Sequence, residues 1–156
     1  MSDTQAQPQG ATFQIEKVYV KDLSLEIPNA PQVFTEQSQP QIDVQIESGE
    51  SRFQQDYYEV TLSVTVTARV GERILFLAEA VQAGIFALRN IPETDLGPLL
   101  GIACPTVLFP YARETISDLV IRGGFPPLLL SPISFEQLDL QRLQQQGGAK
   151  PQPAAL

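Results

Sequence analysis

A single cysteine is the first candidate for chemistry in this sequence. Cys104 lies just before a predicted helix, where the helix dipole lowers a thiol pKa and so favours a reactive thiolate. The chain has no histidine, so it lacks the usual activator of such a nucleophile and the commonest metal ligand. One cysteine also excludes an internal disulfide and a cysteine metal cluster. Because free cysteines are usually buried, a structural role for Cys104 is favoured over a catalytic one.

Carboxylates on predicted strands are the second candidate. Asp22 and Glu26 are four residues apart on one strand, so both side chains point to the same face of the sheet. At the usual rise per residue of a strand, they lie about 13 Å apart. On another predicted strand, Leu77 and Glu79 also share a face. A solvated exterior is the simpler interpretation. The functional one is a docking surface for a basic partner, with Leu77 as an apolar anchor.

The segment from Phe125 to Phe135 is the third candidate. It combines three prolines with several large apolar side chains, which is unusual for a surface loop. Either it lies over the core, or it forms a wall of an apolar groove, because prolines stiffen the backbone and remove hydrogen-bond donors. Such a groove would suit extended, apolar ligands. A nucleotide site is not indicated, since no GxxxxGK[ST] motif is present and Gly84 and Gly101 are isolated.

Composition narrows the class of protein. The 156 residues, 17.1 kDa in mass, fit one domain, which we expect over 12–146 between disordered tails at 1–11 and 147–156. Acids outnumber bases 18 to 10, and the net charge of −8 argues against nucleic-acid and direct membrane binding. The polar start is unlike a signal peptide, and the longest apolar stretch, 99–109, is too short to span a bilayer. A reducing cytoplasm is therefore expected.

Alternating apolar and polar residues predict four strands. They cover residues 13–27, 41–47, 58–70 and 73–86. In the first strand, Val18 and Val20 are out of phase, which indicates a bulge or a patch covered on both faces. Gly71 and Glu72 predict a two-residue hairpin turn with positive φ at the glycine. The fourth strand is apolar on both faces, so we expect cover on both, with another subunit as one possible cover.

Helical spacing follows in the second half of the chain. Apolar residues recur every three or four positions over 104–124, where Pro105 marks the start and Pro110 predicts a kink or a first turn. A second helix at 134–146 opens with a capping box that begins at Ser134. Strands followed by helices predict an α+β fold, with the helices on one face of an antiparallel sheet.

Four stretches of sequence are long and unusual enough to indicate a family. They are FQIEKVYVKDLSLEIPNAP at 13–31, LSVTVTA at 62–68, CPTVLFPYARE at 104–114 and RGGFPPLLLSPISF at 122–135. In this order, and without large gaps, they resemble the SecB family of protein-export chaperones over about residues 12–146.

The resemblance implies an architecture and a function. The implied assembly is a cytosolic homotetramer, a dimer of dimers. Each subunit would have a four-stranded antiparallel sheet, a long helix and a shorter C-terminal helix. Such proteins are ATP-independent holdases, which keep precursor proteins unfolded and deliver them to the motor ATPase SecA. They hydrolyse nothing and need no cofactor.

The resemblance also assigns roles to residues. The positions that match the SecA-binding face are Asp22, Glu26, Leu77 and Glu79. The positions that match tetramer-stabilising residues of the fourth strand are Ala78, Ala80 and Gln82. The candidates for the client groove are Tyr19, Phe34, Phe125, Leu128, Leu130, Phe135 and Leu138. Two alternatives stay open: an oligomeric adaptor that uses the acidic face without a groove, and an enzyme with a carboxylate or Cys104 as nucleophile.

Overall fold

A four-stranded antiparallel sheet forms the body of the chain, as the alternation predicts. The computed structural model describes residues 10–147. The strands are β1 (Thr12–Glu26), β2 (Gln41–Gln54), β3 (Tyr57–Val70) and β4 (Arg73–Arg89). Their order across the sheet is β1-β4-β3-β2, so β1 and β2 are the edge strands. Of the predicted tails, 1–9 and 148–156 lie outside the described residues.

The hairpin turns fix the register of the sheet. Gly71 has a φ of +60° between β3 and β4, which confirms the predicted turn. Asp56, with a φ of +65°, lies in the turn that joins β2 to β3. β2 continues past the predicted end at residue 47, because its ladder with β3 extends to the turn although the apolar alternation has stopped. The second half of β2 is therefore a strand because its backbone pairs with β3, not because its residues alternate.

Two β-bulges in β1 account for the valines that alternate out of phase. Relative to β4, Glu16 and Lys21 are each one extra residue, because the register shifts once between residues 15 and 17 and once between 20 and 22. Each extra residue inverts the alternation of side chains. The apolar side chains of β1 consequently share one face of the sheet. This apolar row comprises Phe13, Ile15, Val18, Val20, Leu23 and Leu25.

A long helical stretch covers one face of the sheet. It consists of α1 (Glu93–Pro98), a π-helical turn (Leu99–Ala103) and α2 (Cys104–Arg122), and α3 (Phe135–Gly147) follows after a connecting segment. The two predicted helices are confirmed, and the Gln137 amide donates to the Ser134 hydroxyl at 3.4 Å as an N-cap. The predicted start of the first helix at residue 104 is wrong, because the helical stretch begins at Glu93. Gly97, Pro98 and Gly101 are poor helix formers, so the sequence gives little sign of it.

The joined helix is longer than the sequence suggests. Over Glu93–Arg122 it is long and apolar enough, by length and composition, to cross a membrane, and an 18-residue window within it has a mean hydropathy of 1.2. The apolar stretch 99–109 is therefore part of a longer helix and is not ended by Pro105, because the helix continues through Pro105 and Pro110. A core helix passes the same test, and α2 buries one face against the sheet.

The hydrophobic core lies between α2 and the face of the sheet that it covers, which we call the helix face. Val60, Val64 and other alternate residues of β3 are fully buried there, against Leu108 and Ile116 of α2. Each buried aliphatic side chain contributes about 1.5–3 kcal/mol. A Cβ on Gly84 would lie 2.9 Å from Phe86 Cε2 and 3.0 Å from Leu108 Cδ2, so glycine permits this close approach. The opposite face of the sheet is called the open face.

Candidate binding surfaces

Asp22, Glu26, Leu77 and Glu79 lie together on the open face of β1 and β4, and we call them the acidic surface. Glu26 opposes Leu77 directly, and Ser24, between the two β1 acids, opposes Glu79. Opposed residues of an antiparallel pair have Cβ atoms about 4.5–5.5 Å apart, and diagonal neighbours about 7–8 Å. The Glu79 carboxylate therefore lies diagonal to both β1 acids, and the register brings together all four residues that the sequence singles out.

The acidic surface carries uncompensated negative charge. Its three carboxylates are exposed, and Leu77 is half-buried beside them. Across residues 10–147, no lysine or arginine nitrogen lies within 4.0 Å of any of the three. Three unpaired carboxylates around an apolar side chain suit a basic segment that carries one apolar residue.

Phe34, Phe76 and Phe125 meet near the end of α2 and form what we call the aromatic corner. The ring centroid of Phe125 lies 5.3 Å from that of Phe34 and 4.8 Å from that of Phe76. Phe34 nevertheless remains 51% exposed. Gly124 has a φ of +86°, and a Cβ there would lie 3.2 Å from Phe34 Cε1, so glycine lets the chain leave α2 past this ring. The corner presents an aromatic face that the subunit leaves partly uncovered.

The crossover segment, residues 123–134, joins α2 to α3 and is partly buried and partly exposed. Leu129 is 80% exposed, Leu128 is half-buried, and Leu130 is only 5% exposed. The sequence places Leu130 and Phe135 on the surface of the groove, but the structure buries both in the core. Alternation along the segment causes this, because every second leucine turns toward α2 and the sheet. Those two residues therefore belong to the core and not to an exposed apolar surface.

A cleft of about 470 Å³ separates α3 from β2. Its walls include Ile46 of β2, Gly101 of the π-helical turn, and Leu138 and Arg142 of α3. Leu138 is exposed, as the groove prediction requires. Burial raises the pKa of the nearby Glu50 carboxyl, and the Arg142 guanidinium partly offsets that rise. The cleft therefore offers both apolar and charged surface to a ligand.

Tyr19 lies apart from the other groove candidates. It opposes Ala83 on the open face, where its hydroxyl donates to the Glu59 carboxylate and Lys21 Nζ donates to the same group at 2.6 Å. The Lys21 and Tyr19 bonds lower the pKa of Glu59, while burial and the bond to that carboxylate raise the pKa of Tyr19 to about 12. The structure therefore does not bring Tyr19 together with the aromatic corner, because the bulges in β1 set its side chain on the other side of the sheet.

Ala78, Ala80 and Gln82 lie on the helix face, beneath α2 of the same chain. All three are buried, and Gln82 Nε2 donates to the Tyr19 carbonyl at 3.2 Å while its Oε1 accepts from the Thr115 hydroxyl at 3.0 Å. The structure therefore differs from the expectation of an exposed interface at these residues, because the chain itself covers them. Any influence on assembly would pass through the position of α2.

Cys104 is buried in the core, which confirms its structural interpretation. Burial raises the pKa of the thiol to about 12, and the negative charge of Glu50 acts in the same direction. The helix dipole does not lower the pKa of Cys104, although the sequence predicts that it would. Cys104 does not lie at a free helix N-terminus, because the π-helical turn Leu99–Ala103 precedes it. At neutral pH the thiol is protonated and is not an activated nucleophile.

The sequence did not single out the apolar side chains of β2. Ile42, Val44 and Ile46 oppose buried residues of β3 on the helix face, yet Ile42 and Val44 are exposed. Their alternation predicts a strand, but nothing in it indicates that α2 lies over β3 and β4 and leaves β2 uncovered. Together with Leu129, they extend the uncovered apolar area of the chain.

Comparisons with known proteins agree with this architecture. Residues 4–146 match the family described as "Preprotein translocase subunit SecB". The protein-export protein SecB of Chromobacterium violaceum is 60% identical over 137 residues, which are 88% of this chain and 91% of that protein. The SecB of Dechloromonas aromatica is 54% identical, covering 88% and 90%, and that of Nitrosospira multiformis is 50% identical, covering 97% and 94%.

A solved structure shares the fold. It is a SecB-like chaperone from Mycobacterium tuberculosis in complex with a peptide from an antitoxin. The TM-score is 0.65 at 20% sequence identity, over 78% of this chain and 91% of that one. Taken with the family match and the relatives at 50–60% identity, these findings show that the chain belongs to the SecB family of protein-export chaperones.

Proposed function

We propose that this chain is an ATP-independent holdase, which keeps precursor proteins unfolded and export-competent and delivers them to SecA. The observation that carries the proposal is the separation of two uncovered surfaces. Apolar side chains such as Phe34 and Leu129 are exposed around α2 and the crossover segment, whereas the acidic surface lies on the open face of the sheet. A client and a partner could therefore bind at the same time.

Extended apolar segments of a client fit the first surface. The aromatic corner, Leu128, Leu129 and the cleft beside Leu138 offer side chains rather than a row of backbone donors and acceptors. Burial of apolar area contributes about 25 cal/mol per Å² and has no direction, so many sequences would be accepted. A folded client hides the same segments, so the holdase would discriminate chiefly against folded chains. The peptide held by the Mycobacterium tuberculosis relative supports a ligand of this kind.

SecA is the partner that the family resemblance proposes for the acidic surface. The contact would pair a basic segment of SecA with Asp22, Glu26 and Glu79, and Leu77 would supply the apolar anchor. Exposed ion pairs are individually weak, so the attraction would act mainly on the rate and specificity of docking. Delivery would then need no nucleotide hydrolysis by this chain, because SecA is itself the ATPase.

A homotetramer, a dimer of dimers, is the assembly we propose. β1 is a 15-residue edge strand whose apolar row is still partly exposed, as at Val20 and Leu23. An exposed edge of this length invites pairing with another chain, and a second copy would cover both the row and the backbone edge. Ala78, Ala80 and Gln82 would act on the assembly by fixing α2. Several subunits on one long client would add avidity to weak individual sites.

We also propose where the protein acts and which partners it does not bind. A cytoplasmic location follows from the family's role in export. The net charge of −8 would disfavour nucleic acid and anionic membranes as direct partners, and the mechanism uses no cofactor.

Aggregation of a refolding client tests the proposal. Purified protein, added without ATP at one oligomer per client, should suppress light scattering from a chemically denatured precursor. The same client added after it has folded should not bind. Absence of suppression at equimolar oligomer would contradict the holdase. An adaptor without a groove would bind SecA but would neither suppress aggregation nor protect the unfolded precursor from protease.

A further inference from the structure

The bulge at Lys21 decides on which face of β1 the acids lie. Val20 opposes Gln82, and after the extra residue Asp22 opposes Val81. Without that residue, the register would continue so that Asp22 opposed Ala80, a buried position of the helix face. Glu26 would move to the helix face in the same way, because a one-residue slip exchanges the two faces of a strand. The acidic surface therefore exists only while the bulge is in place.

Packing fixes the register of β1 only in part. β1 is an edge strand, and α2 lies mainly over β3 and β4. Val18 and Leu25 of the apolar row pack against the core, whereas the other four side chains of the row are still 39–47% exposed. A slip of β1 would therefore lose less apolar burial than a slip of a central strand, and polar contacts can add to the preference for the bulged register.

Polar side chains hold the bulge from both faces. On the open face, Tyr19 and Lys21 both donate to the Glu59 carboxylate, which belongs to β3, so the bonds pass over β4. On the helix face, Gln82 donates to the Tyr19 carbonyl and accepts from Thr115 of α2. These hydrogen bonds hold Tyr19 and Lys21, the two residues on either side of Val20, and Asp22 follows directly after Lys21.

We propose that Tyr19, Glu59 and Gln82 are positioning residues for the acidic surface, because they hold the bulge that turns the two β1 acids onto the open face. The inference rests on the proposed docking function of that surface. It gives Tyr19 a role in partner binding rather than in the client groove, and it connects α2 physically to the docking face through Gln82.

The experiment compares two double variants of the full chain. Tyr19→Phe/Glu59→Gln removes one hydroxyl and one carboxylate from the network, and Tyr111→Phe/Glu72→Gln removes the same groups from exposed positions outside it. The probe is a short lysine-rich peptide with one leucine, titrated at low salt. NMR contacts between β1 and β4 report the register directly, and amide exchange over residues 20–26 reports its stability.

We expect the network variant to bind the peptide about fivefold to tenfold more weakly than the control, the loss expected for two exposed ion pairs. Amides 20–26 should exchange faster, and a population with Asp22 opposite Ala80 should appear. Equal affinity and an unchanged Asp22–Val81 contact would overturn the inference. Tyr19→Phe alone, which removes one hydroxyl, should show the same changes to a smaller degree if the double variant folds poorly.

A third variant separates this inference from the docking proposal. Asp22→Asn/Glu26→Gln leaves the network intact and removes the charges themselves. If this variant binds the peptide as tightly as the parent chain, the docking proposal fails, and the register measurement alone decides the role of the network. If it binds weakly while the network variant does not, the docking proposal stands and the inference fails.

Discussion

Charge reversal on the acidic surface is the sharpest test of partner docking. Asp22→Lys/Glu26→Lys replaces two unpaired carboxylates, about 13 Å apart along β1, by two ammonium groups. An exposed ion pair contributes about 0.2–1 kcal/mol, and reversal adds repulsion of similar size to the lost attraction. We therefore expect docking to SecA to become weaker by about 1–3 kcal/mol, which corresponds to a Kd roughly 5- to 150-fold higher.

The assay is a titration of purified SecA against the oligomer at two salt concentrations. The Debye length is about 30 Å at 0.01 M salt and about 10 Å at 0.1 M, so the effect of reversal should shrink as salt rises. Glu93→Lys/Glu114→Lys is the matched control, because both carboxylates are exposed on the helical stretch and both doubles change the net charge equally. Equal weakening by both doubles, or unchanged affinity at low salt, would refute the assignment of this surface.

Three further predictions follow from the core and the crossover segment. Leu130→Ala should lower the free energy of unfolding by about 2–5 kcal/mol, since Leu130 is buried. Leu129→Ala should change it by less than about 0.5 kcal/mol yet weaken client binding; similar urea curves for the two variants would count against this. Burial raises the pKa of Cys104 from 9.0 to about 12, so its contribution to stability is complete below pH 9 and is lost as pH rises toward 12. Urea midpoints between pH 8 and pH 11 should fall more steeply for the parent chain than for Cys104→Ser, and parallel slopes would be the contrary result. Gly84→Ala should cost about 1–3 kcal/mol because its Cβ would collide with Phe86 and Leu108, whereas Gly97→Ala meets nothing within 4 Å and should not destabilise the fold.

Much of the fold can be read from local sequence. Alternation locates all four strands, Gly71 marks the turn between β3 and β4, and Ser134 marks the start of α3. The out-of-phase valines of β1 indicate a bulge, but they do not say that there are two. Both bulges become visible only from the pairing with β4, because the register of an edge strand depends on its neighbour.

The binding surfaces were predictable to different degrees. The acidic surface depends on parity within short stretches of β1 and β4, so the sequence groups its four residues correctly. The exposure of the candidate client-binding residues depends on tertiary packing. Leu129 and Leu130 are identical in type and adjacent in sequence, and only the path of the crossover segment exposes one and buries the other. The sequence does not show that Tyr19 lies on the open face, because bulges interrupt the alternation of β1 on both sides of that residue.

The position of a bound client is the most direct test of the proposed holdase function. An unfolded precursor bound to the isotope-labelled protein, without nucleotide, should perturb methyl and aromatic NMR signals of a defined set of side chains. The account predicts changes at Phe34, Phe125, Leu129 and Leu138, with little change at Leu77 of the acidic surface. Perturbations confined to the open face, or none at saturating client, would contradict it.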